Sequence, residues 1–182
     1  MELKVPSEVK IDGGYIPTAE DLAFTGDQAN KLFSHSKFSW ILEHYISLLS
    51  FSNITNAVEC FSYLKSDVDL TNLTLYMDNS QGGSISEIFR GSNLPHLPHI
   101  VGKINSCSTI FYNYYNESIP DNFFDDLIFK STGTISCSSI FEGCKNLTKV
   151  PSLKAFKQLQ STRVPSLYSN FYYYLFNGCH NL

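Results

Sequence analysis

Ile140-Phe141-Glu142-Gly143-Cys144-Lys145-Asn146-Leu147 and Leu175-Phe176-Asn177-Gly178-Cys179-His180-Asn181-Leu182 share one pattern: an aliphatic residue and Phe, one variable residue, Gly-Cys, another variable residue, then Asn-Leu. The core of that pattern, an aliphatic residue followed by Phe and a turn, recurs at Leu32-Phe33, Ile88-Phe89 and Ile110-Phe111, and at Cys60-Phe61 with Cys in the aliphatic slot. Phe33, Phe61, Phe89, Phe111, Phe141 and Phe176 are therefore separated by steps of 28, 28, 22, 30 and 35 residues. Periodicity of this length marks a supersecondary unit that cannot bury its apolar face alone and must stack on its neighbours. The expected fold is an α/β repeat, a solenoid of short parallel strands and short helical turns, with these six Phe as its internal spine.

Within a unit, Cys137-Ser138-Ser139-Ile140-Phe141 places apolar residues four and one positions before the Phe, a helical spacing. Gly143-Cys144-Lys145-Asn146 then reads as a tight turn, where Gly tolerates a left-handed backbone and Asn bonds its own main chain. Leu147-Thr148-Lys149-Val150-Pro151 reads as a short extended piece stopped by proline, as do Asn93-Leu94-Pro95-His96-Leu97-Pro98 and Glu117-Ser118-Ile119-Pro120. The uneven steps place loops of different length between two walls, the longest near residues 121–133 and 153–169.

The N-terminal part differs. Residues 1–17 look extended and are broken by Pro6 and Pro17, and Thr18-Ala19-Glu20-Asp21 has the form of a helix start. Residues 36–49 carry Phe38, Ile41, Leu42, Tyr45, Ile46, Leu48 and Leu49 at spacings of three and four, which predicts an amphipathic helix holding Trp40. The chain thus divides into a leader and helical cap, residues 1–52, and the repeat array, residues 53–182. Leu182 directly follows a unit's Gly-Cys-His-Asn, so the array is expected to end here in mid-course.

Composition excludes several classes. A net charge of −4 over 182 residues gives no basic surface for phosphate contacts, so nucleic acid is not an expected partner. No apolar run reaches the roughly 18 residues of a membrane span, so no membrane insertion is expected. Met1-Glu2-Leu3-Lys4-Val5-Pro6 has neither a basic nor an apolar segment of a secretory signal. Sequons at Asn53, Asn72, Asn116 and Asn146 are what a Ser- and Asn-rich chain produces by chance. Only 16% of residues are charged, while 14 Phe and 11 Tyr make the chain rich in aromatics.

The five cysteines follow the repeat: Cys107 and Cys137 lie four residues before a repeat Phe, and Cys144 and Cys179 lie three after one. With Cys60, they read as small buried fillers rather than metal ligands or redox centres. Stacking would bring Cys144 and Cys179 within disulfide reach, but the odd count and missing export signal favour free thiols.

The two full signatures resemble the unit of BspA-like leucine-rich repeats, most closely over residues 137–182 and partially over residues 84–136, where Gly91 is kept and Ser92 stands in place of Cys. The resemblance implies a curved leucine-rich-repeat solenoid that binds without catalysing, similar to adhesins on bacterial and protist surfaces and to repeats in bacteriophage virions.

No catalytic constellation is visible, and no cofactor is expected. His96 and His99 sit among prolines in an extended stretch, where residues three apart face opposite ways, so no metal site is expected there. Asp121, Asp125 and Asp126 lack the alternation of a calcium loop. The candidate binding residues are the tyrosines Tyr112, Tyr114, Tyr115, Tyr172, Tyr173 and Tyr174, because Tyr offers a large rigid contact with a hydrogen-bonding tip. About half of them should face outward. The expected function is a non-enzymatic protein-binding module for adhesion or receptor recognition on a virion or cell surface, with a protein or surface glycan as partner. The alternative is a structural component of a phage virion or other particle, its array packed against copies of itself or neighbouring proteins; a cytoplasmic location fits the same sequence.

Overall fold

The computed structural model describes residues 16–129, 135–157 and 174–182. Six strands form a sheet whose pairings are all parallel: β1 (Ala23–Gly26), β2 (Ser50–Ile54), β3 (Thr74–Met77), β4 (Gly83–Ser84), β5 (His99–Ser106) and β6 (Leu127–Phe129). The order is β1-β2-β3-β5-β4, and β6 pairs with β5. Alternation sets the inward face: Phe24, Phe51, Leu75, Met77, Ile100, Ile104, Leu127 and Phe129 are buried, while Ser50, Ser52, Tyr76 and Ile128 point out.

Opposite this sheet lie the aliphatic-Phe segments. The rings of Phe33, Phe61, Phe89, Phe111, Phe141 and Phe176 form one column. Successive centroids are 5.5, 5.8, 5.4, 5.9 and 5.5 Å apart, and ring planes are within 15° of parallel. Each such pair contributes about 0.5–1.5 kcal/mol beyond the burial of its area. Phe123 and Phe124 meet the column edge-on, against Phe111 at 5.1 and 6.4 Å.

These segments are not helical, contrary to the spacing argument. Residues two before and two after every column Phe have positive φ: Lys31 and His35, Glu59 and Tyr63, Glu87 and Gly91, Thr109 and Asn113, Ser139 and Gly143, Tyr174 and Gly178. A left-handed residue at every fourth position breaks a helix and leaves overlapping tight turns, such as Ser62 N–H to Glu59 O at 3.1 Å. The freed main-chain donors turn to the neighbouring unit. The Phe33, Phe61, Phe89, Phe111 and Phe141 N–H groups donate to the carbonyls of Cys60, Ile88, Ile110, Ile140 and Leu175 at 2.8–3.1 Å. This ladder offsets the left-handed strain, about 1–2 kcal/mol for each non-glycine residue.

The strands also fall elsewhere than the sequence implied. Residues 93–98, 117–120 and 147–151 form none; β5 begins immediately after Pro98 and β6 well after Pro120. Proline lacks the donor a ladder needs, so residues 93–98 and 117–120 serve as corners that precede β5 and β6.

Near the N-terminus, Thr18 and Asp21 make the reciprocal bonds of a helix cap, Thr18 N–H to Asp21 Oδ2 at 2.9 Å and Asp21 N–H to Thr18 Oγ1 at 3.3 Å, yet the chain passes directly into β1. Phe24 there gains a stacked contact with Phe51 at 5.3 Å. Helix α1 (Ser39–Tyr45) occupies half of the predicted amphipathic stretch and continues as a 3-10 turn, Ile46–Leu48. Ile41 and Leu42 are its buried face. The boundary read at residue 52 falls inside β2, and β1 and Phe33 join the following unit through the same contacts that later units use. No helix among the described residues is long and apolar enough to cross a membrane.

Candidate functional site

On the outer side of the Phe column, side chains next to Phe33, Phe61, Phe89 and Phe111 build an aromatic and cationic strip. The His35 ring stacks on Tyr63 at 4.5 Å, and the Arg90 guanidinium lies 5.8 Å from the Tyr63 centroid and 5.2 Å from that of Tyr112. Glu87 pairs with Arg90, and this bond raises the guanidinium pKa further. Arg90 is thus fixed between two phenols with its charge partly exposed, a geometry in which cation–π attraction contributes about 0.5–2 kcal/mol.

Tyr115 extends the strip. Its ring is 52% exposed and carries Lys65 Nζ at 5.8 Å. Its main chain is held by neighbouring units: its N–H donates to Ser92 O at 3.1 Å, and Asn146 Nδ2 donates to its carbonyl at 2.6 Å. An exposed aromatic on a backbone fixed from both sides loses little entropy when it is covered.

The other tyrosines separate. Tyr112 is half-buried against Arg90, and Tyr174 is exposed. Tyr114 is a correction: it is 1% exposed, donates its hydroxyl to Leu94 O and accepts Asn116 Nδ2 at 3.0 Å. Burial pushes its phenol up to about 12. It stands three residues after Phe111, the slot filled by Leu64, Ser92 and Cys144 in other units, all of which point inward. Tyr172 and Tyr173 lie outside the described residues.

The cysteines need a second correction. Cys107 and Cys137, four residues before Phe111 and Phe141, occupy equivalent slots in adjacent units with Cα atoms 4.8 Å apart, and they form a disulfide. Cys144 and Cys179 remain free thiols. They donate to the carbonyls of Phe111 and Phe141, both at 2.9 Å. Burial pushes Cys144 up to about 12 and raises Cys60 and Cys179 as well, so none of the three is an activated nucleophile.

Residues outside any recognisable motif also reach this surface or the sheet's outer face. Tyr63 and Arg90 were hidden by their place beside a structural Phe. Tyr76 and Ile128 were not singled out, although the alternation Thr74-Leu75-Tyr76-Met77 marks Tyr76 as outward. His96 and His99 are both exposed, and Asp121 pairs with Lys149 at 3.5 Å. Among the described residues, no group of three His, Cys, Asp or Glu side chains could hold a metal ion.

No protein-family model matches this chain, and neither the curated proteins nor the solved structures give a significant match.

Proposed function

We infer that the chain is a non-enzymatic binding module, a leucine-rich-repeat-like solenoid of the BspA-like kind that acts in adhesion or receptor recognition at a virion or cell surface. The observation that carries the reading is the rigid strip His35–Tyr63–Arg90–Tyr112 with Tyr115 and Lys65 beside it. It presents aromatic faces and cations on a backbone hydrogen-bonded between units, the side-chain chemistry enriched at binding hot spots. The unbroken Phe column and its main-chain ladder support the solenoid architecture. The Cys107–Cys137 disulfide supports an oxidising location such as an external surface.

The test is binding of the purified chain to intact bacterial and eukaryotic cells, with Tyr115→Ala and Arg90→Ala compared against wild type. Retained unfolding midpoints with at least tenfold weaker cell binding are expected. Cell binding unaffected by either substitution would remove the strip from the reading. Sedimentation as a symmetric oligomer with Tyr115 protected from modification would favour the structural role in a particle.

A further inference from the structure

A concavity lies on the sheet side, where the 3-10 turn Ile46–Leu48 and the loop preceding β3 border the outer face of β2 and β3. It is an open groove with room for about 490 Å³, within the range of small-ligand sites. Its floor carries the Ser50, Ser52 and Thr74 hydroxyls and the Tyr76 ring, and its side carries Asp69 and Asn72. Tyr76 is 56% exposed, and among the described residues its ring has no aromatic or cationic neighbour, unlike Tyr63, Tyr112 and Tyr115. Asp69 uses Oδ1 to accept the Thr71 N–H and hydroxyl, at 2.9 and 2.6 Å, which orients the carboxylate. Those two bonds also lower its pKa and keep it ionised.

We propose that this groove is a saccharide site, one that takes a neutral hexose or N-acetylhexosamine unit of a surface glycan. The proposal rests on the binding reading above and names its ligand class. An apolar sugar face matches the free Tyr76 ring, and ring hydroxyls match a carboxylate acceptor, a carboxamide and three hydroxyls. Among the described residues no Lys or Arg lines the groove, and Asp69 does, so its charge disfavours sialylated or sulfated sugars. A peptide is less well served. β2 and β3 are paired with one another here, so neither offers the open edge that captures an extended main chain. Of the aliphatic and Phe residues that line it, Leu49, Phe51 and Leu73 are buried and Ile46 is half-buried, so no fully exposed aliphatic side chain stands ready as an anchor.

The experiment is an immobilised array of neutral, sialylated and sulfated oligosaccharides probed with the full chain, followed by titration of the strongest neutral binder. Wild type should bind neutral glycans. Tyr76→Ala should weaken binding at least tenfold and Asp69→Asn severalfold, while Tyr76→Phe should bind like wild type. Equal binding by wild type and Tyr76→Ala overturns the proposal, as does an array response limited to anionic glycans. A silent array with cell binding that still depends on Tyr115 overturns the groove and leaves the adhesive reading standing. Silence in both assays overturns both.

Discussion

Gly91 is the seat of the Tyr63 ring: a Cβ at Gly91 would come within 2.7 Å of both Cδ1 and Cε1 of Tyr63, and the glycine itself has φ +61°. Gly91→Ala therefore meets a conformational cost and a steric one together, about 2–4 kcal/mol in sum. Urea unfolding should show that loss. In a Tyr63→Ala background the same substitution should cost clearly less, since only the conformational part remains. Additive effects in the double variant would refute the contact.

Phe111 sits in mid-column between Phe89 and Phe141, whereas Phe176 is 38% exposed. Phe111→Ala should destabilise by about 3–5 kcal/mol. Phe176→Ala removes one stacked neighbour and less buried area, so its loss should be smaller. Equal midpoints for the two variants would argue against a continuous column.

The disulfide closes a sequence separation of 30 residues between neighbouring units. Its removal through Cys107→Ser with Cys137→Ser should lower stability by about 2–4 kcal/mol. Thiol titration of the denatured, unreduced wild type should count three free cysteines, Cys60, Cys144 and Cys179. A count of five would contradict the bridge.

Alkaline pH should weaken the fold. Burial lifts the Cys144 thiol from 9.0 to about 12 and the Tyr114 phenol from 10.0 to about 12. Once unfolded, both groups ionise at their ordinary values, so their stabilising contribution is complete below about pH 9 and is lost as pH rises toward 12. Melting temperature should fall from about pH 9 toward pH 12, and the fall should be shallower in Tyr114→Phe, where the phenol cannot ionise. An unchanged slope in that variant would contradict the burial of the hydroxyl.

Some of this was legible in the chain and some was hidden by its own regularity. The six Phe positions announced the units because a column tolerates one ring size per layer. Gly143 and Gly178 announced a left-handed turn because glycine reaches it without a Cβ. The same conformation at Lys31, Glu59, Thr109 and Ser139 left no sequence trace, since inter-unit hydrogen bonds impose it on ordinary residues. Helical spacing was therefore a false guide to segments such as Cys137–Phe141. Tyr114 looked like its neighbour Tyr115 in composition, and only its register three places after Phe111 separates a core phenol from a surface one. The groove joins residues 46–52 to residues 69–76 across a loop, a juxtaposition that no local pattern encodes.

The main-chain ladder along the Phe wall has a consequence beyond cohesion. Every bond described there from a column Phe runs the same way, N–H of one unit to carbonyl of the next. Peptide dipoles of about 3.5 D each thus add along the stack axis. The wall becomes a polar filament with a donor end and an acceptor end. That polarity resides in the backbone, independent of which side chains decorate it.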